Sequence, residues 1–129
     1  MRFFIKQYST LPYLEFELED ISKEYNISNE NWENCAVTFS MYDKKNNIYR
    51  IANKEAKLVV KERVINLGDP YNYYLRYEFT EKDTSKIGDF IGEFKVDFLN
   101  DHHMGKLTVP ITDKIEIFVK DSITRTTVI

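Results

Sequence analysis

Apolar and polar residues alternate along two stretches of this chain, and the other segments take their place around them. In the first, Tyr73, Leu75, Tyr77 and Phe79 share one phase while Arg76 and Glu78 hold the other. In the second, Phe90, Phe94, Val96 and Phe98 alternate with Glu93, Lys95 and Asp97. A period of two sends successive side chains to opposite faces, so each stretch predicts a half-buried strand. Between them, Thr80-Glu81-Lys82-Asp83 offers an N-cap residue with an acid three positions on. Gly88 follows as a candidate C-cap at positive φ. The pattern predicts strand, one short helical turn, strand.

The same reading extends to both ends. Residues 2–8 predict a short first strand. From Tyr13 to Asp20, Leu14, Phe16 and Leu18 alternate with Glu15, Glu17 and Glu19. Those three carboxylates are read as a solvated outer face paired by lysines of a neighbouring strand, in preference to a cation site. Ser22 to Asn34 is asparagine-rich and predicts an irregular segment pegged by Tyr25, Ile27 and Trp32. Cys35 to Tyr42 predicts a strand with Val37, Phe39 and Met41 inward. Asp43 to Asn47 predicts a turn with Asn46 and Asn47 able to take positive φ. Ile48 to Ala52 is its hairpin partner, and Glu55 to Val64 a further strand. Leu67-Gly68-Asp69-Pro70 is a breaker, and Asn100 to Gly105 a hairpin loop. Lys106 to Val109 predicts a strand stopped by Pro110. In a last strand, Lys114 to Lys120, Ile115, Ile117 and Val119 face inward.

Short strands at intervals of roughly ten residues predict an all-β fold, an immunoglobulin-like antiparallel β-sandwich of about eight strands with one short helical turn. Its expected core is Leu14, Phe16, Val37, Phe39, Leu75, Tyr77, Phe90, Phe94, Val96, Ile115 and Ile117. The length of 129 residues fits a single domain, residues 1–129, with short terminal extensions.

Charge and composition narrow the chemistry. A net charge of −3, from 18 basic and 21 acidic residues, lacks a nucleic-acid footprint. The apolar run at the N-terminus is too short for a signal peptide, and none approaches a membrane span, so synthesis in a cytosol is expected. Asn26-Ile27-Ser28 matches a glycosylation acceptor but lacks a secretory context. The single cysteine, Cys35, heads an apolar run and reads as a buried structural thiol. Asp101-His102-His103 is the one cluster of metal-ligand residue types. Adjacent strand residues point apart and no third ligand lies nearby, so no metal site is expected. With no nucleophile elbow, phosphate-cradling glycine loop or paired-cysteine motif, the expectation is a non-enzymatic protein without a cofactor.

Aromatic residues are the better lead. Nine tyrosines, nine phenylalanines and one tryptophan exceed what a small core needs. Trp32, Tyr71, Tyr73 and Tyr74 are candidates for a sugar-stacking platform or a protein interface. Phe3 and Phe4 near one end, and Val128 and Ile129 at the other, are candidates for terminal strands that add to a partner or a symmetry mate and are not needed by the sandwich.

One resemblance ties several of these stretches together. Val37, Thr38 and Phe39 stand in one strand. Arg76, Tyr77, Phe79, Asp83, Thr84, Gly88, Phe90, Glu93 and Phe94 run through the central pair, and Thr108, Val109 and Pro110 follow. In this order they resemble the N-terminal immunoglobulin-like domain of phage baseplate upper proteins and related phage structural modules. The match runs from about Tyr13 to Lys120. Asn34 replaces the tight-turn glycine of that pattern. Family members continue into a long fibre or receptor-binding region. The resemblance therefore implies a virion structural protein: an adaptor, decoration or fibre-attachment piece in the tail, baseplate or head. It would contact other virion structural proteins in a multi-copy symmetric assembly, with no catalytic residues, nucleic acid or membrane involved. The competing reading is a carbohydrate- or receptor-binding β-sandwich module.

Overall fold

The computed structural model describes residues 1–62, 71–99 and 104–122. In chain order the elements are β1 (Arg2–Lys6), β2 (Leu14–Glu17), α1 (Glu19–Glu24), α2 (Asn29–Glu33), β3 (Ala36–Asp43) and β4 (Ile48–Glu55). They continue with β5 (Lys57–Glu62), β6 (Tyr71–Tyr77), β7 (Gly88–Asp97), β8 (Lys106–Val109) and β9 (Ile115–Lys120). Two sheets form a β-sandwich. One is six-stranded, ordered β1-β9-β7-β3-β4 with β8 also paired to β7; the other is three-stranded, ordered β2-β6-β5.

β7 is the spine. β3 pairs along one edge of it, while β9 and β8 share the other, opposite its first and second halves. The two strands with the clearest alternation, β6 and β7, belong to different sheets and meet across the interior. Tyr73, Leu75, Tyr77, Phe79, Phe90, Phe94, Val96 and Phe98 are all buried. Phe39 sits between the two layers, its ring 4.5 Å from that of Tyr77 and 4.9 Å from that of Phe94. Each such side chain removed from water contributes about 1.5–3 kcal/mol, which is why this alternation dominates the fold. The rest of the expected core is buried too, apart from Phe16, which is half-buried on an edge strand.

β7 also contains a close approach. A Cβ on Gly92 would lie 2.7 Å from Ile117 Cδ1 and 2.9 Å from Phe39 Cζ. The missing side chain lets the strands on either side of β7 pack their large residues over it.

Four details differ from the sequence reading. First, β2 stops at Glu17, and the segment expected to be irregular carries two short helices. Ser28 caps α2: its Oγ accepts the Asn31 N–H, and the Asn31 side chain accepts the Ser28 N–H. This is a capping box with asparagine in the place usually held by Glu or Gln. Second, β1 is not an appendage. It pairs parallel to β9, Phe3 beside Ile117 and Ile5 beside Val119. Phe3 and Ile5 need the core for their apolar faces, so the larger sheet is mixed and not wholly antiparallel. Third, Thr80 and Asp83 exchange hydrogen bonds as expected, yet Gly88 is no helix cap. It takes the positive φ anticipated, at 154°, but as the first residue of β7, because the turn has already closed with the Ser85 N–H donating to Lys82 O. Fourth, of the three outward carboxylates, Glu19 lies in α1 and not on the strand. In the turn after β3, Asn47 takes the positive φ anticipated, at 54°.

Candidate functional site

The aromatic residues proposed for recognition separate into buried and exposed sets. Trp32 is fully buried and packs its ring 5.3 Å from that of Phe98. Its Nε1 donates to Ser22 Oγ, which donates to Leu18 O. Those contacts pin the helical segment over one end of the sandwich, so Trp32 has no face to offer a sugar. Tyr73 points into the core and donates its hydroxyl to Glu33 Oε1 at 2.8 Å. Phe3 is likewise buried, stacked on Phe79 at 5.7 Å. The structure therefore removes Phe3, Trp32 and Tyr73 from the candidate surface. Val128 and Ile129 lie outside the described residues, as do His102 and His103.

Tyr71 and Tyr74 are on β6: Tyr71 is exposed at the start of the strand, in the phase of Tyr73, and Tyr74 is half-buried on the outer face of the three-stranded sheet. There Lys61 Nζ lies 4.7 Å from the Tyr74 ring centroid, and the Arg76 guanidinium 4.6 Å from that of Tyr13. Arg76 and Lys61 both donate to Glu15, at 2.8–2.9 Å and 2.7 Å. Desolvation pushes the Glu15 pKa up, but the hydrogen bonds and charges of Lys61 and Arg76 outweigh it and hold the carboxyl below its ordinary range. The expected pairing of outward acids with lysines of a neighbouring strand holds only in part for Glu15: the adjacent β6 supplies Arg76, and the lysine, Lys61, reaches over from β5 one strand further. This face is tied up in its own network, and cations already cover the rings of Tyr74 and Tyr13.

The remaining candidate, Phe4, belongs to a different surface. It projects from β1 on the outer face of the six-stranded sheet and is 50% exposed. Its ring stacks on Phe118 of β9 at 4.9 Å. The Arg2 guanidinium lies 5.6 Å from one ring centroid and 5.0 Å from the other, and Lys120 Nζ lies 5.4 Å from that of Phe118. Phe118 is thus 9% exposed although it points away from the core. Sequence reasoning missed it, although an aromatic at the polar phase of Ile115-Glu116-Ile117-Phe118-Val119 was a signal available in the chain.

Phe118 also forms one wall of a groove of about 520 Å³. The β3–β4 turn lines it with Asp43, Lys44, Lys45 and Asn46, and Ile87, Asp89, Ile91, Lys114 and Glu116 complete the lining. The turn wall is well built: Asp43 accepts from the N–H groups of Lys45 and Asn46 and from Asn46 Nδ2. Exposed Phe4, stacked on the buried Phe118 beside a groove lined by charges of both signs, gives this face the composition of a protein contact surface, apolar at its centre and polar at its margin.

Cys35 lies apart from this surface. Its Sγ donates to Trp32 O at 2.8 Å, and burial pushes the thiol pKa up to about 11. It is a structural thiol held in its protonated form at neutral pH. Comparison of the chain with models of known families, with curated proteins and with solved structures finds no match.

Proposed function

We propose that this chain is a non-enzymatic structural component of a phage virion, acting through protein–protein contacts with other virion proteins. The observation that supports this best is the stacked Phe4–Phe118 pair, held on the outside of the sandwich by Arg2 and Lys120 next to the groove. Two phenylalanines on the solvent side of a strand pair have no role in the chain's own core. Their ordering before any partner arrives lowers the entropic cost of docking. The resemblance of β3, β6, β7, β8 and β9 to the baseplate-associated domain supplies the virion context.

The test is composition of particles. Phage particles from a lytic culture, purified through a density gradient, should contain this chain at a fixed ratio to the tail or head proteins. Phe4→Ser should lower that ratio while the variant still folds. Recovery of the chain only in the soluble lysate, with none in intact particles, would refute the reading.

A further inference from the structure

We propose that β1 is a docking strand: an extended, acidic segment of a partner protein adds along its open edge and continues the six-stranded sheet. This deepens the docking reading above and rests on it for the partner's origin.

Backbone direction defines the edge. Glu116 N–H donates to Met1 O, and Gln7 N–H donates to Lys120 O, so the odd-numbered residues of this strand turn their backbone groups toward β9. Backbone groups alternate in direction along a strand, so those of Arg2 and Phe4, and the Lys6 N–H, face the opposite side. Among the described residues β1 has β9 as its one strand neighbour, while Lys6 O is taken by the Ser9 N–H. A row of donors and acceptors is thereby presented to an incoming strand.

Side chains define the partner's chemistry. Arg2, Phe4 and Lys6 stand on the outer face of β1, all exposed. In the β1–β9 register Arg2 lies beside Glu116, Phe4 beside Phe118, and Lys6 beside Lys120. Two lysines opposite one another in the register put like charges on adjacent strands, which is unfavourable unless an anion joins them. Among the described residues Lys6 Nζ meets a carbonyl, Asp121 O at 3.1 Å, and Lys120 Nζ an aromatic ring, neither of which neutralises the pair. A strand whose outward residues run acidic, apolar, acidic would meet Arg2, cover Phe4 and neutralise the two lysines. A second copy of the chain is disfavoured as occupant: antiparallel pairing of two β1 strands centred on Phe4 would set Arg2 against Lys6, cation against cation.

The test uses the full chain and a labelled peptide, Thr-Glu-Thr-Leu-Thr-Glu-Thr, whose pattern reads the same in either direction. Binding is followed by fluorescence anisotropy and by amide hydrogen exchange. The expected result is saturable binding, weakened by salt, with new protection at the Phe4 and Lys6 amides. Replacing both peptide glutamates by lysine, or introducing Arg2→Gln with Lys6→Gln, should each weaken binding about tenfold, the size expected for losing two cross-strand charge pairs. Equal affinity for the acidic and lysine peptides would overturn the proposal. So would absence of binding, the outcome if the cations serve only to keep the edge from self-pairing. Concentration-dependent dimerisation of the chain, abolished by the double variant, would assign the edge to a second copy and also overturn it. Because the assay uses isolated protein, it can fail while the chain still sediments with particles, and the converse, so the two readings are separable.

Discussion

The Tyr77 hydroxyl donates to Asp83 Oδ2 at 2.6 Å, linking the end of β6 to the turn that carries the chain from one sheet to the other. Asp83 is 5% exposed, and the same oxygen accepts the Thr80 N–H, while Lys54 Nζ reaches its other oxygen at 3.1 Å. One carboxylate thus ties together the three-stranded sheet, the crossover turn and the end of β4.

That arrangement sets a pH dependence. Desolvation pushes the Asp83 pKa up, but the Thr80 N–H, the Tyr77 hydroxyl and the Lys54 ammonium outweigh it, and the carboxyl is held below its ordinary range. A folded pKa below the unfolded one means that Asp83 stabilises the fold above about pH 4 and loses that contribution as the pH falls through the folded value. Thermal melts from pH 7 downward should show a shallower acid-side decline for Asp83→Asn than for the parent. Tyr77→Phe should cost about 1–3 kcal/mol at pH 7, because it leaves a buried carboxylate short of a donor. An acid limb identical in parent and Asp83→Asn would show that this carboxylate is not the linkage group.

Gly92 tests the packing between β3 and β9. Gly92→Ala pushes a methyl group into Ile117 and Phe39 and should destabilise by about 1–3 kcal/mol. Trimming the neighbour with Ile117→Val should be less harmful in the Gly92→Ala background than in the parent, a positive coupling readable from a double-mutant cycle in urea. Strictly additive costs would place the strain elsewhere.

Trp32 is the single tryptophan of the chain, so fluorescence excited at the red edge of the absorption band, where the nine tyrosines do not absorb, reports on it alone. Its emission should be blue-shifted and resistant to iodide quenching, moving to longer wavelength only on unfolding. Trp32→Ala should cost about 3–5 kcal/mol. A quenchable, red-shifted tryptophan in the folded protein would contradict the burial described and restore the stacking-platform reading.

What the chain's pattern revealed, and what it concealed, follows from the range of the interactions concerned. Strand phases were legible because burial enforces period two locally, and Phe39, Tyr77 and Phe94 needed no knowledge of their partners to be placed inward. The Thr80–Asp83 exchange spans three residues and was legible for the same reason. The helices after β2 were hidden because their cap uses Asn31 and their stability comes from Trp32 reaching into the sandwich, a tertiary contact. The Phe4–Phe118 pair was invisible because alternation tells which face a residue takes, never which strand lies beside it. Pairing the first strand with the last closes a loop of more than a hundred residues.

That same pairing yields the sharpest contrast between neighbours. Phe3 and Phe4 are adjacent and chemically identical, yet the strand turns one inward onto Phe79 and the other outward onto Phe118. Phe3→Ser removes a buried ring and puts a hydroxyl in its place, so it should cost about 3–5 kcal/mol. Phe4→Ser gives up one exposed stack and part of the cover over Phe118, a loss of about 1 kcal/mol. Urea unfolding with unchanged m-values should show Phe3→Ser shifting the midpoint several times further than Phe4→Ser. The order would reverse if β1 were slipped by one residue, since a slip exchanges the two faces. Equal small shifts would mean that neither ring is buried and that β1 does not belong to the sheet. In that case the open edge and its cationic face would lose the scaffold that presents them.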